Sequence, residues 1–495
     1  MTITWMFGAA ILLPVLSGLF LLLRQGKIEN RRLKCVGIFL VMALTALLAV
    51  ALICSPDYEL TVWRLTDTIS LTFRLDGLAR LFMGMTVAAW TLGGVFAFEY
   101  MKHEENEDRY FGFYLIVLGV LLALDQAGNL VTLYLCFELM TLTSLPLVLH
   151  NMSHEAVMAG LKYLFYSIGG AFTALFGIFY LFANGLTGSF TPGGYLSAGE
   201  ISYTGTTGMT LFVLLLIIIG FGTKAGMFPM HGWLPTAHPV APAPASAVLS
   251  GVITKAGVLA VVRVVFYMVG ADFLRGTWVQ YTWLTLALIT VFMGSMMAYK
   301  EQLLKKRLAY SSVSQVSYIM FGLATLTVDG FVGGLAHFIF HSVIKDCLFL
   351  CAGAIIYNTH RTRVDELRGI GKEMPVTMWC FTIVSLGLVG IPPLSGFVSK
   401  WYLAVGALGS GTGVFTWLGP VVLLLSALLT AGYLLTLSIQ AFFPGADFDY
   451  AGVKRHEVNA LMTVPMVLYA AATLLLGMFP GALIGFIQNI ASAVL

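Results

Sequence analysis

Stretches of about twenty predominantly apolar residues follow one another from Ile3 to Leu495, with no polar domain between them. A helix rising about 1.5 Å per residue needs about that length to cross about 30 Å of hydrocarbon. In lipid every backbone polar group must find an internal partner, which leaves helices and closed barrels as the only spanning structures. A barrel alternates apolar and polar residues, whereas these runs are apolar all round. The chain therefore reads as an all-α integral membrane protein, a single membrane domain over residues 1–495. Charge agrees: 10% of the residues are charged and 59% hydrophobic, against roughly 25% charged in soluble proteins. A net charge of +3 spread over scattered basic residues offers no nucleic-acid surface.

The pattern predicts fourteen spans, at about 3–23, 34–54, 76–99, 110–127, 129–150, 157–183, 209–228, 243–270, 280–298, 306–325, 332–357, 376–402, 414–443 and 461–485. An even number puts both termini on one side. Loops after odd-numbered spans hold 17 basic residues: Arg24, Lys27, Arg31, Arg32, Lys34, Lys102, Arg109, Lys300, Lys305, Lys306, Arg307, Arg361, Arg363, Arg368, Lys372, Lys454 and Arg455. The opposite loops hold only Arg64, Arg74 and Arg275. The positive-inside rule then places the odd-span loops in the cytoplasm and both termini outside. No basic region precedes the first apolar run, so it reads as a retained helix and not a cleaved signal peptide. The six cysteines (Cys35, Cys54, Cys136, Cys347, Cys351 and Cys380) form no CxxC, CxxCH or four-cysteine spacing, so no iron–sulfur cluster, haem or other cofactor is expected.

The remaining seven basic residues, Arg80, Lys162, Lys224, Lys255, Arg263, Lys345 and Lys400, fall inside predicted spans, as do Glu138 and Asp346, with Asp125 near a boundary. An ionisable group at bilayer depth costs at least about 2.5 kcal/mol, so its default reading is functional. Arg80 sits near a helix end, and Arg263 has a structural reading as a snorkelling or paired group. Glu138, in LVTLYLCFELMTLTSLPLVL, has no basic residue on its own span and must be partnered from elsewhere. Lys224 ends an apolar run, and Pro229, Pro235, Pro239, Pro242 and Pro244 follow; such a broken segment is tolerated only where its backbone is buried in protein or lines a cavity. GLVGIPPLSGFVSKW repeats the arrangement, with Pro392, Pro393 and Gly396 ahead of Lys400. Two interrupted spans, each with a lysine, point to inverted repeats around a midplane ion site. The expected organisation is three N-terminal helices (1–109), a first inverted five-helix repeat (helices 4–8, 110–270), a second (helices 9–13, 280–443) and helix 14 (461–485), with helices 7 and 12 broken.

Desolvation disfavours an ammonium and a nearby carboxylate restores it, so a buried lysine beside a movable acid can load and release a proton. Lys255 stands between the two breaks. His337, His341 and Lys345 recur at i, i+4 and i+8 on one helix face. No HExxH or further carboxylate accompanies the histidines, so no metal site is expected; imidazoles suit proton relay. Ser311, Ser312, Ser314, Gln315 and Ser317 offer hydrogen bonds to such a path, or plain helix packing.

At these residues the sequence resembles the antiporter-like proton-conducting subunits shared by respiratory complex I (NADH:quinone oxidoreductase), Mrp-type Na+/H+ antiporters and membrane-bound [NiFe] hydrogenases. The matching stretches are CFELM, GFGTKAGMFPMHGWLPTAHPVAPAPASAVLSGVITKAG, KKRLAYSSVSQVSY, GGLAHFIFHSVIKDCLFLCAG and GIPPLSGFVSKW, within about residues 70–440. The resemblance implies that Glu138 pairs with Lys224, that Lys255 continues the path, that His337, His341 and Lys345 form the helix-eleven motif, and that Lys400 gates the outer side. It implies partners as well: further membrane subunits, including related antiporter-like ones, and a peripheral redox arm in a prokaryotic plasma membrane. Two departures narrow the type. No long lateral helix follows GMFPGALIGFIQNIASAVL, and Lys400 stands where the central complex I subunit has a glutamate, which favours hydrogenase or Mrp subunits or short complex I relatives. Asp346, directly after Lys345, is unusual for the motif. The expected function is translocation of protons, with sodium left open, by a non-redox subunit of a redox-driven pump; an Mrp-type antiporter subunit is the alternative. A solute carrier would instead need a substrate-sized polar pocket, and a membrane oxidoreductase or hydrolase a metal, haem or activated nucleophile.

Overall fold

Residues 2–27, 30–198, 203–449 and 453–495 are described by a computed structural model. Helices α1 (Thr2–Leu23) and α2 (Arg31–Ile53) lead through a hairpin of β1 (Tyr58–Arg64) and β2 (Ser70–Leu75) into α3 (Gly77–Tyr100), α4 (Glu107–Asp125), α5 (Leu130–Val148) and α6 (His154–Ala183). Then come α7 (Thr207–Ala225), α8 (Ala243–Val269), α9 (Trp278–Lys300), α10 (Leu304–Ala324) and α11 (Val328–Thr359). α12 consists of two halves, Pro375–Val389 and Ser395–Leu408, and α13 (Phe415–Phe442), α14 (Ala460–Met478) and α15 (Gly481–Val494) complete the order. Side-chain caps fix several starts: Asp76, Asn129, Ser153 and Thr327 each accept a backbone N–H three residues on, satisfying donors that a helix leaves free.

Among the described residues, eleven helices are long and apolar enough to cross a membrane. They correspond to the fourteen expected spans less α4, α10 and α12. α4 opens on Glu107, Asp108 and Arg109, α10 carries Lys305, Lys306 and Arg307 in its first turn and the polar run 311–317 after it, and the halves of α12 have only 15 and 14 residues. The molecular centre is α8 and α11, whose apolar windows are 100% and 94% buried inside the protein, against 28% for α1 and α2. α8 is not a uniform α-helix: it widens into π-turns at Leu249–Ile253 and Arg263–Val269, a deviation often found at functional sites.

Three features depart from the sequence reading. The connection after α2 is a two-stranded antiparallel hairpin, with Arg74 N–H bonded to the Gln126 carbonyl and Gly128 N–H to that of Thr72. Its strand carries the β-favouring run SLTFRL. The fourteenth span stops at Met478 and not near 485, because Pro480 cannot continue the ladder. α15 then packs Ile484, Ile487, Ile490, Ala491 and Val494 inward, against α3 and α11. Finally, Lys305 and Arg307, counted with the loops, lie buried at the start of α10.

Candidate functional site

The first break places Lys224. α7 ends on Gly226, whose φ of +78° is the left-handed C-cap conformation that favours glycine, and the chain resumes as the short helix Leu234–Val240. Lys224 is in the last turn of α7, where the carbonyl end of a helix favours a cation. Its Nζ donates to Tyr163 Oη at 2.6 Å, Thr141 Oγ1 at 2.9 Å and Ser167 Oγ at 3.4 Å, and stands 4.3 Å from the Tyr163 ring centroid. Three hydroxyl acceptors match the three ammonium hydrogens. Glu138 is near but makes no direct ion pair with Lys224 among the described residues: its Oε1 is buried without a hydrogen-bond partner. The pairing implied by the resemblance is thus an approach across α5, with hydroxyls in contact with the lysine. Glu138 is itself half-buried, in line with exposed Leu135, Leu139 and Leu142.

The second break places Lys400. α12 halts at Gly390, with φ +93°, and restarts at Ser395. From the second half, Lys400 Nζ reaches back to the Leu388 carbonyl at 2.6 Å and that of Val389 at 2.8 Å. Both lysines at the breaks therefore sit at the carbonyl end of a half-helix, one from within it and one from the half that follows.

Between them run buried polar groups of α8, α10 and α11. Lys255 Nζ donates to the Ser250 carbonyl in the first π-turn, and Lys345 Nζ to the Leu308 carbonyl of α10 at 3.0 Å. His341 is fully buried, and neither ring nitrogen has a hydrogen-bond partner. Its ring stacks with that of His337, centroids 5.8 Å apart. His337 bonds Gln315 Oε1 through Nε2 at 3.1 Å and Ser399 Oγ through Nδ1 at 2.9 Å; Ser399 precedes Lys400. The spacing predicted from sequence thus becomes a stacked imidazole pair leading to the second break. Arg263 and Arg80 are accounted for otherwise. Arg263 is held by Asp76 at 2.5 and 3.0 Å, and Arg80 binds Asp57 at 2.5 Å and the Ile53 carbonyl at 2.9 Å. Lys162 is half-buried on α6, 6.0 Å from the Tyr166 ring. All six cysteines are free.

Sequence reasoning missed a group beside this series. A cavity of about 330 Å³ is lined by Tyr100, Glu104, Pro239, Ala241 and Lys305 among others. Lys305 Nζ donates to the Pro239 carbonyl at 3.1 Å and to that of Ala241. His238, the residue before Pro239, is fully buried, its ring stacked 4.6 Å from that of Phe349 and both ring nitrogens unpartnered. Glu104, in the loop before α4, has its carboxyl pushed above the ordinary range by burial, with Lys305 opposing the shift. The only available signal was a histidine in a proline-rich segment without helical period, which pattern reading assigns to a turn.

Residues 127–430, well over half of the chain, match the family described as NADH:quinone oxidoreductase/Mrp antiporter, TM. The chain belongs to that family. NADH-quinone oxidoreductase subunit N of Desulforudis audaxviator is 33% identical over 398 residues, covering 78% of this chain and 77% of that one. Hydrogenase-4 component B of Escherichia coli is 31% identical over 446 residues, covering 86% and 64%. The fold is shared with a chain of the Mrp complex of Dietzia sp., with a TM-score of 0.85 at 21% identity over 99% and 98% of the two chains. Within the NADH:quinone oxidoreductase/Mrp antiporter family the protein is an antiporter-like membrane subunit, and Glu138, Lys224, Lys255, His337, His341, Lys345 and Lys400 all fall inside the matched residues.

Proposed function

We propose that this subunit carries protons across the membrane along Glu138, Lys224, Lys255, His341, His337 and Lys400, with Lys345 flanking the path. The observation that carries the reading is the series itself: one lysine at each half-helix carbonyl end, joined through the two most buried helices by a lysine and a stacked imidazole pair. Solute recognition has no counterpart in such a series, which spreads titratable groups across the protein instead of converging them on one pocket. The Glu104–Lys305–His238 group supports uptake at the cavity, which opens beside loops that follow odd-numbered spans. The 17 basic residues of those loops, against three opposite, favour a cytoplasmic position for them and an external one for both termini. A prokaryotic plasma membrane is the setting that fits.

Similarity to subunits of a quinone oxidoreductase and a hydrogenase favours a redox-driven complex, with a peripheral redox arm and related antiporter-like subunits as partners. The driving event is a charge rearrangement delivered by a neighbouring subunit at Glu138, which shifts the proton affinity of Lys224 as a coupling between sites. In vesicles carrying the assembled complex, Glu138→Gln and Lys224→Ala should each abolish coupled proton movement with assembly intact. Full pumping by both variants would overturn the mechanism. Replacing sodium by potassium in the medium separates the ions: unchanged transport supports protons, and a strict sodium requirement favours an Mrp-type exchange.

A further inference from the structure

We infer that Asp346 is a positioning residue for Lys255, the built-in counter-charge that governs when this lysine gives up its proton, in the manner of Glu138 toward Lys224. The inference rests on the proton path just proposed and adds a residue that the path does not use. Asp346 is fully buried in α11. A carboxylate without compensation at such a place is costly, and its hydrogen bonding is incomplete: Oδ2 accepts from the Tyr469 hydroxyl of α14 at 3.2 Å, while Oδ1 has no partner.

The position of Oδ1 identifies the missing charge. It presses against Gly251 in the first π-turn of α8, where an added Cβ would lie 1.9 Å from it. Only a residue without a side chain admits the carboxylate there. Ser342 of α11 fastens the same contact, its Oγ donating to the Gly251 carbonyl at 2.5 Å. Lys255 folds its Nζ onto the carbonyl of the adjacent Ser250, so ammonium and carboxylate converge on two consecutive residues of one turn. Lys345 precedes Asp346 in sequence but points elsewhere, to the Leu308 carbonyl of α10, as successive side chains on a helix diverge by about 100°. The groups facing Asp346 are Lys255 from α8, Tyr469 from α14 and Tyr114 from α4, and Tyr114 spends its hydroxyl on the Trp90 carbonyl at 2.8 Å. Lys255 is faced in addition by His337, His341 and Lys345 of α11 and by His238 of the short helix, and among these groups Asp346 is the one carboxyl. Lys255 is the cation placed to answer the carboxylate, and a carboxylate so placed favours the charged form of that lysine.

The test uses the assembled complex in vesicles, with the rate of proton movement followed from pH 6 to pH 10. Asp346→Asn removes the charge and keeps the shape, so Lys255 loses its proton at lower pH and the alkaline limb moves toward acid by at least half a pH unit. Asp346→Glu restores the native limb. Tyr469→Phe, which weakens the carboxylate without removing it, moves the limb in the same direction by less, and decides the matter if Asp346→Asn does not assemble. Native profiles in Asp346→Asn and Tyr469→Phe, with at most a uniform loss of rate, overturn the inference. Lys224→Ala and Lys255→Ala are measured alongside. If both still pump, the path itself fails; if both are inactive while the Asp346 and Tyr469 variants keep the native profile, only the role of Asp346 fails.

Discussion

At Lys224 a charge is held by neutral groups. Contact with Tyr163, Thr141 and Ser167 satisfies the ammonium without neutralising it, which leaves Glu138 free to act at a distance. Hydrogen bonds to charged groups contribute about 1.5–3 kcal/mol, and each 1.36 kcal/mol is about tenfold in an equilibrium. Tyr163→Phe keeps the ring and removes the shortest bond, so coupled proton movement at neutral pH should fall about tenfold in vesicle assays while the complex assembles normally. Glu104 makes a second residue-scale prediction. Its carboxyl stays protonated to higher pH than an ordinary glutamate because it is partly buried, against the influence of Lys305. Uptake that loads through it should rise as pH falls through its titration; Glu104→Gln should lack that rise, and an unchanged profile would remove Glu104 from the route. Glu138, Lys224 and Lys400 were legible in sequence because charge is rare inside apolar runs. Lys305 was not, since hydropathy places a helix start only to within a turn, and a lysine on that turn is counted with the loop.

Broken helices were readable as elements from Gly and Pro alone, and their geometry explains why those residues are needed. Where α12 restarts, Gly396 packs on the first half so closely that a Cβ would lie 1.9 Å from the Gly387 carbonyl oxygen. Backbone cannot yield there as a flexible side chain can, so Gly396→Ala should displace the second half and with it Lys400. Overpacking of this kind costs about 1–3 kcal/mol or more. The expected readout is a lower thermal inactivation temperature of the solubilised complex together with loss of transport, whereas Gly208→Ala, in open space on α7, should leave both unchanged. The π-turns of α8 were invisible in the sequence. They contain no Pro, and arise where α8 is enclosed on all sides, so that packing and not local propensity sets the backbone. The hairpin was missed for another reason: seven- and six-residue strands between two spans fall below the window that finds a membrane helix.

At the scale of the whole molecule, the two ends of the proposed path lie among different helices. α5 and α6 pack on α4 and α7, while α12 and α13 pack on α9, α10 and α11. Glu138 stands in the first group among exposed leucines, and Lys400 in the second beside exposed Phe397, Trp401 and Val405. An ionisable group at that depth is placed toward protein or water and not toward lipid, so a neighbouring chain is expected over Glu138, consistent with partnership with other membrane subunits. A hydrophobic carbodiimide dissolved in the detergent or lipid phase reports this directly, since it reaches carboxyls from the apolar side. The isolated subunit should be labelled at Glu138, with the label absent in Glu138→Gln, and the assembled complex should be protected several-fold. Equal labelling in both would mean that no partner covers this face, and that the signal for Lys224 must arrive by another route.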